Sequence, residues 1–342
     1  MTRQSITWAN SVRRFFASLT ISVSLIACSQ DPAELIVYSA RNEEHVKPIF
    51  DKYTEETGQK IRLISDDAGP LLERLAAEGQ NSPADLLITV DAGVLWSAAD
   101  RGLLRAVNSN VLDENIPEHL RDPQRRWYGL SVRARTIVYS TERVKPDELS
   151  TYEALTDAKW RGRLCLRTSK SVYNQSLVAM LIAEHGEAKT EEIVRGWIAN
   201  LATQPFANDT LLMEAIAAGQ CDVGIVNTYY FGRLERDNSQ IPVKLFWADQ
   251  SGQGTHVNIS GAGVTAHAPH ADKALKFLEW LSQPGSQAMI ASVDLEYPAS
   301  PKQEPDPRVA SWGKFKGNPL NVAKAGELQP AAVRLMDRAG YR

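Results

Sequence analysis

Asn227-Thr228-Tyr229-Tyr230-Phe231-Gly232-Arg233-Leu234 follows an apolar run, Cys221-Asp222-Val223-Gly224-Ile225-Val226. The run reads as a short buried strand. Two adjacent phenols then stand where that strand ends. On a continuing strand their side chains would point to opposite faces. In mid-helix they would sit about 100° apart, at ~3.6 residues per turn. Neither arrangement aims both hydroxyls at one point. A turn from strand into helix does, and α/β proteins place ligands at such turns. The plainer alternative for a tyrosine pair is aromatic packing at an interface.

Upstream in the same half, Lys159 to Leu166 reads as a turn and strand carrying Cys165, and Tyr173-Asn174-Gln175-Ser176 opens an apolar helix. Further helices are expected over 190–200 and 210–218. The N-terminal half alternates. Leu35 to Ala40, Lys60 to Ser65 and Asp85 to Val90 read as strands, each followed by a helical pattern. That β-α-β-α-β-α order predicts a parallel sheet with helices on both faces. Residues 127–132 and 136–140 read as two strands separated by Arg133-Ala134-Arg135. The chain returns near 255–264, and two helices follow at 272–282 and 286–292. Residues 309–342 show few apolar anchors before a last helix at 331–338.

The composition is ordinary for a globular chain: 342 residues, 43% hydrophobic, 23% charged, formal net charge −3. No basic block supplies a footprint for nucleic acid. Residues 1–28 carry Arg3, Arg13 and Arg14 before an apolar run too short to be a comfortable membrane span, which reads as a signal peptide. Its end, Leu25-Ile26-Ala27-Cys28, has the form of a lipobox, making Cys28 the lipidated first residue of the mature chain; otherwise Cys28 is incidental. Cys165 and Cys221 remain, and an even pair in an exported protein suggests a disulfide. No nucleophile elbow, phosphate loop or Cys-x-x-Cys is present, so an enzyme reading has no positive support.

Three stretches carry a resemblance: Val37-Tyr38-Ser39-Ala40-Arg41, Ser169 to Ser176, and Gly219 to Tyr230. With Ser82 to Gly93 and Gly254 to Asn258, they make residues 34–300 similar to the ferric-iron-binding proteins of bacterial ABC importers, in pattern the cyanobacterial subgroup. The resemblance implies an α/β fold of the type II periplasmic binding protein kind, two lobes joined by crossing strands around a ligand cleft. The expected division is 29–134 and 257–308 for the first lobe and 135–256 for the second, with 309–342 packing on the second. It implies Fe³⁺ held by the phenolates of Tyr173, Tyr229 and Tyr230. It also implies a permease and its ATPase as partners, a monomer, and a place in the periplasm or cell envelope, with a lipid anchor as the only membrane contact.

The chemistry agrees with that implication. Phenol, with a pKa of about 10, loses its proton to a trivalent ion. Three phenolates would neutralise Fe³⁺. The chain departs from the family in the first lobe, where many relatives carry His or His-Tyr and Asn42 and Glu43 stand here. That leaves room for carbonate or another small anion, with Arg41, Arg133 and Ser39 as candidates to hold it and Arg135 as a weaker one. Glu43 or Glu44 is a direct-ligand alternative. Arg233 and Asn42 are expected just behind the ligands. His45 reads as a solvated helix-face histidine, and Asp91 as either a cleft contact or a helix cap. A competing reading keeps the fold but gives the cleft to a small organic cation or oxyanion. A third makes the scaffold a metal-dependent enzyme, for which no base is identifiable.

Overall fold

The computed structural model describes residues 1–2 and 34–342; the leader and Cys28 lie outside the described residues. The first half runs β1 (Leu35–Ser39), α1 (Glu43–Thr57), β2 (Ile61–Ser65), α2 (Ala68–Glu78), β3 (Leu86–Thr89), α3 (Ala92–Asp100), α4 (Asn110–Asn115) and β4 (Tyr128–Ser140). The second half follows with β5 (Leu164–Cys165), α5 (Val172–Ala199), α6 (Asp209–Ala217), β6 (Val223–Asn227), α7 (Thr228–Asp237) and β7 (Val243–Phe246). Then come β8 (Val257–Val264), α8 (Ala271–Leu281), α9 (Pro284–Asp294), β9 (Tyr297–Pro298), α10 (Pro307–Ser311), α11 (Ala323–Glu327) and α12 (Gln329–Arg338). Helix α5 is interrupted at Gly186, whose φ of 77° no helix accommodates. Among the described residues, no helix is long and apolar enough to cross a membrane.

The strand order is β2-β1-β3-β8-β4-β6-β5, with β7 and β9 both on β4. Strands β1, β2 and β3 are parallel, as the alternating pattern predicts; β8 joins β3 and β4 antiparallel, so the sheet is mixed. Strand β4 connects the lobes. Its first part pairs with β8 as far as Ala134↔Val257, and from Arg135↔Asn227 onward it pairs with β6. Residues 133–135 are therefore strand, not the break expected from sequence. Both arginines lie buried inside the sheet, where polar partners meet them, so a charged stretch does not end the ladder.

Strand β6 is buried on both sides, which its unbroken apolar run anticipates. Val223 and Ile225 enter one cluster with Trp160, Leu181 and Trp197. Val226 enters another with Met213 and Ile216. Gly224 is required there: a Cβ would lie 2.6 Å from Leu212 Cδ2 and 2.9 Å from the Cys165 carbonyl. Cys165 and Cys221 form a disulfide beside this strand, with Cα atoms 6.0 Å apart. The first lobe has its own core, including Val37, Leu87, Leu95, Ile259 and Phe277.

The C-terminal segment is better anchored than its sequence suggests, and it does not pack on the second lobe alone. Val309 is fully buried and Trp312 packs beside it. Val322 and Ala323 join the first-lobe core, while Ala332, Leu335 and Met336 of α12 join the second against α5. Asn321 Nδ2 donates to the Glu118 and Arg121 carbonyls, and Asn318 Nδ2 donates to Glu184, so polar contacts also reach both lobes.

The ion pair of Arg135 with Asp209 is buried, with side chains 2% and 0% exposed. Asp209→Ala leaves the guanidinium without its carboxylate, and the expected cost is about 3–5 kcal/mol. Urea unfolding should report it as a lower midpoint with an unchanged slope.

Candidate functional site

The tyrosine pair stands at a strand-to-helix junction. Asn227 ends β6 and precedes α7, so Tyr229 and Tyr230 occupy the first helical turn. The turn is fixed from below. Asp209 Oδ2 accepts from the Asn227 amide at 2.8 Å and from Arg135 Nη1 at 2.9 Å. Arg135 Nη1 also donates to Asn227 Oδ1 at 3.1 Å.

Tyr173 is the second residue of α5, again in a first turn. The next residue, Asn174, accepts from Arg135 Nε at 2.9 Å and donates to the carbonyls of Arg167 and Thr168 and to the Tyr341 hydroxyl. One buried guanidinium thus braces both helices that carry the phenols. It is no part of the cavity wall, so Arg135 is a structural clamp and not an anion holder.

The three phenols meet. The Tyr229 and Tyr230 rings lie 4.4 Å apart at 31°, and Tyr173 lines the same cavity beside them. Arg133 and Arg167 sit over the Tyr173 ring at 5.2 and 5.3 Å, and Arg233 sits over the Tyr229 ring at 5.0 Å. Arg167 Nη1 is 3.5 Å from the Tyr230 hydroxyl. The phenols line a polar cavity of about 260 Å³ whose other wall includes Arg41, Asn42, His45, Arg133, Asp294 and Glu296. In that wall Arg41 binds Asp294 and lies 3.9 Å from Glu296, which lies 3.9 Å from Arg133. His45 Nδ1 and Arg233 Nη2 each stand 2.8 Å from Asp294 Oδ1.

Burial raises the Tyr229 phenol well above its ordinary value, and the neighbouring phenols Tyr173 and Tyr230 raise it further. Burial also raises Tyr173, against a smaller opposing pull from Arg133. Burial pushes the Asp294 carboxyl up, but Arg41, His45 and Arg233 outweigh it and hold the group below the usual carboxylate range. Burial therefore favours neutral Tyr173 and Tyr229 phenols, while the cationic neighbours of Asp294 favour its ionised carboxylate. Among the described residues, no group of three or more His, Cys, Asp or Glu is placed to hold a metal ion.

The profile of the bacterial extracellular solute-binding proteins matches residues 49–317. The chain belongs to that family. Iron uptake proteins A1 and A2 of Synechocystis sp. are 40% and 43% identical to this solute-binding protein, over 96% and 97% of its length and 98% and 99% of theirs. A Trichodesmium protein solved in complex with iron and citrate superposes with a TM-score of 0.87 at 41% identity, covering 90% of this chain and all of that one. The fold is thus the two-lobed type II periplasmic binding architecture that the resemblance implied.

Not every candidate reaches the cavity of this solute-binding protein. Arg41, Arg133, Arg233 and Asn42 line it. Asn42 also caps α1, its Oδ1 accepting from the Glu44 amide at 3.0 Å. Ser39 is fully buried in β1, its Oγ accepting from the Arg41 amide, and Glu43 is exposed at the start of α1; neither lines the cavity. Asp91 caps α3 and bonds Ser176 and Asn258, so the cap reading describes it. His45, read as a solvated surface residue, faces the cavity instead: it lies one turn beyond Asn42, on the same face of α1. Arg167, Asp294 and Glu296 were not singled out from sequence. Only the apolar run before Asp294 marks that helix, and nothing in the local pattern says where its end points.

Ultraviolet difference titration of the metal-free protein should find Tyr173, assigned by Tyr173→Phe, ionising above the ordinary phenol range. Arg133→Met should raise it further, because the guanidinium favours the phenolate. A downward shift would contradict this electrostatic account.

Proposed function

We propose that this solute-binding protein captures Fe³⁺ between its lobes as the tyrosinates of Tyr173, Tyr229 and Tyr230, and delivers it to an ABC permease and its ATPase. The observation that carries the reading is the convergence of three phenols, from the first turns of two helices, on one cavity beside cationic side chains. A helix N-terminus favours negative charge, so both helices support the ionised form of their tyrosines. Fe³⁺ is hard and prefers anionic oxygen. The relatives named iron uptake proteins and the Trichodesmium complex with iron and citrate support the same cargo. The protein works in the cell envelope, held there by lipid on Cys28, and acts as a monomer without catalysing a reaction.

A small oxyanion accompanies the ion. Arg133 lines the cavity, and its Nε is buried with no hydrogen-bond partner among the described residues. An unsatisfied buried donor of this kind is costly, and carbonate or a carboxylate would satisfy it. The same donor favours the second reading, a cleft for an oxyanion alone.

Titration of purified protein with ferric citrate should produce a visible tyrosinate-to-iron band saturating at one iron per chain. Tyr229→Phe and Tyr230→Phe should each weaken binding by at least about 100-fold, roughly 2.7 kcal/mol at 1.36 kcal/mol per factor of ten, while the circular dichroism spectrum stays unchanged. If anion binding occurs without any such band, the oxyanion reading replaces this one.

Three phenols must each release a proton as the ion enters. The logarithm of the association constant, corrected for the competing chelator, should therefore rise with pH at a slope of about 3 below the phenol range. Acid then expels the ion. A slope near zero would mean that neutral groups hold the cargo.

A further inference from the structure

The chain leaves α9 through three consecutive residues that all reach the cleft. Asp294 accepts from Arg233 of α7 at 2.8 Å, while it also holds Arg41 and His45 of its own lobe. Leu295 packs with Tyr229 in a small apolar cluster with Val309. Glu296 accepts from Ser131 and stands near Arg41 and Arg133. Leu295 adopts φ 56°, ψ 42°, a left-handed conformation that L side chains disfavour. Helices commonly end there with glycine; this one ends with a side chain that reaches the partner lobe. On the other side, α7 gives way to receive it. A Cβ on Gly232 would lie 3.0 Å from Leu295 Cδ1 and 2.6 Å from the Trp312 ring.

We infer that Asp294 is a positioning residue that latches the end of α9 onto α7 across the cleft, and so governs how long a bound cation stays. The inference rests on the ferric reading for its cargo. Arg233 is the moving half of the latch. It lies one short turn after Tyr230, its guanidinium packs over the Tyr229 ring, and it is the more exposed partner, at 37% against 11%. Separating the lobes breaks the Arg233–Asp294 pair and the Leu295–Tyr229 contact together, whereas Arg41 and His45 stay with Asp294. Release is therefore coupled to loss of this corner, although Asp294 need not touch the ion.

The test is a double-mutant cycle on iron release to an excess chelator, followed by loss of the visible band. Asp294→Asn and Arg233→Met should each speed release about ten-fold while one iron per chain still binds. The double variant should release no faster than either single one, because both remove the same pair. If Asp294 only braces Arg41 and His45 within its own lobe, Arg233→Met leaves release unchanged, and that result overturns the latch. Additive effects overturn it as well. Arg233→Met alone carries the test if Asp294→Asn fails to fold. A missing band in the unaltered protein would sink the ferric reading without touching the latch. X-ray scattering then decides: Arg233→Met must enlarge the radius of gyration, and an unchanged radius overturns the latch.

Discussion

A guanidinium without water must be answered by polar partners, and Arg135 is answered from both helices that bear the phenols. Asn174 belongs to α5, Asn227 leads into α7, and Asp209 caps the arrangement from the start of α6. The residue sits where β4 passes from the first sheet to the second. The junction of the two lobes and the floor of the phenol cluster are therefore held by one side chain. Tyr341, at the far end of the chain, is tied in through Asn174. This bracing matters energetically because a ligand set held in place before binding loses little conformational freedom when its ligand arrives.

The cleft wall obeys a second electrostatic constraint. Three arginines line it, Arg41, Arg133 and Arg233, against two carboxylates, Asp294 and Glu296, a formal excess of one positive charge among these five residues. Arg167 adds another guanidinium beside Tyr230, shared with Asp209 at 3.8 Å. Burial favours the neutral phenols of Tyr173 and Tyr229. On the ferric reading, three phenolates cancel the charge of the ion, and the cationic excess remains for a small anion. On that reading Arg133 serves the anion and the phenols serve the metal, while Arg41 and Arg233 are held by Asp294. A wall without the two carboxylates would repel the incoming cation more strongly, since like charges at these separations meet little solvent screening.

The second lobe was legible from local pattern, and the first-lobe wall was not. Strand β6 announced itself by its apolar run, and the Tyr229-Tyr230 pair stood where that run stopped. Tyr173 stood at the start of an apolar helix, and the two cysteines pair as their number suggested. Each of these signals lies within a few residues of the side chain it predicts. The ion pairs of the wall join residues far apart in sequence. Arg41 and Asp294 are separated by 253 positions, and the hydrogen-bonded Ser131 and Glu296 beside them by 165. Such pairs follow from the topology that carries α9 back to the first lobe, and periodicity holds no record of them. Strand β4 failed for a related reason: two arginines look like a break until the carboxylates that meet them are known. The C-terminal segment misled because its anchors, such as Val309 and Val322, are single residues and not a periodic face.

The substitutions in the first lobe fit a division of labour between the lobes. Where the resemblance implies His or His-Tyr, this chain has Asn42 capping its own helix and Glu43 turned to solvent. What the first lobe brings to the cavity instead is a network: Arg41, Asp294, Glu296 and Arg133, with His45 joined to it through Asp294. Each carboxylate there is already engaged by a cation, so none is available as a strong ligand without breaking an ion pair. The phenols, all on the second lobe, meet no carboxylate among the described residues, and Tyr230 accepts a 3.5 Å hydrogen bond from Arg167. On the ferric reading, a cation entering the cleft meets phenol oxygens on one lobe and a charge-paired surface on the other. On the same reading, capture and closure are then separable: the second lobe supplies the bonds to the cargo, and the first lobe supplies the pairing that brings its surface over it.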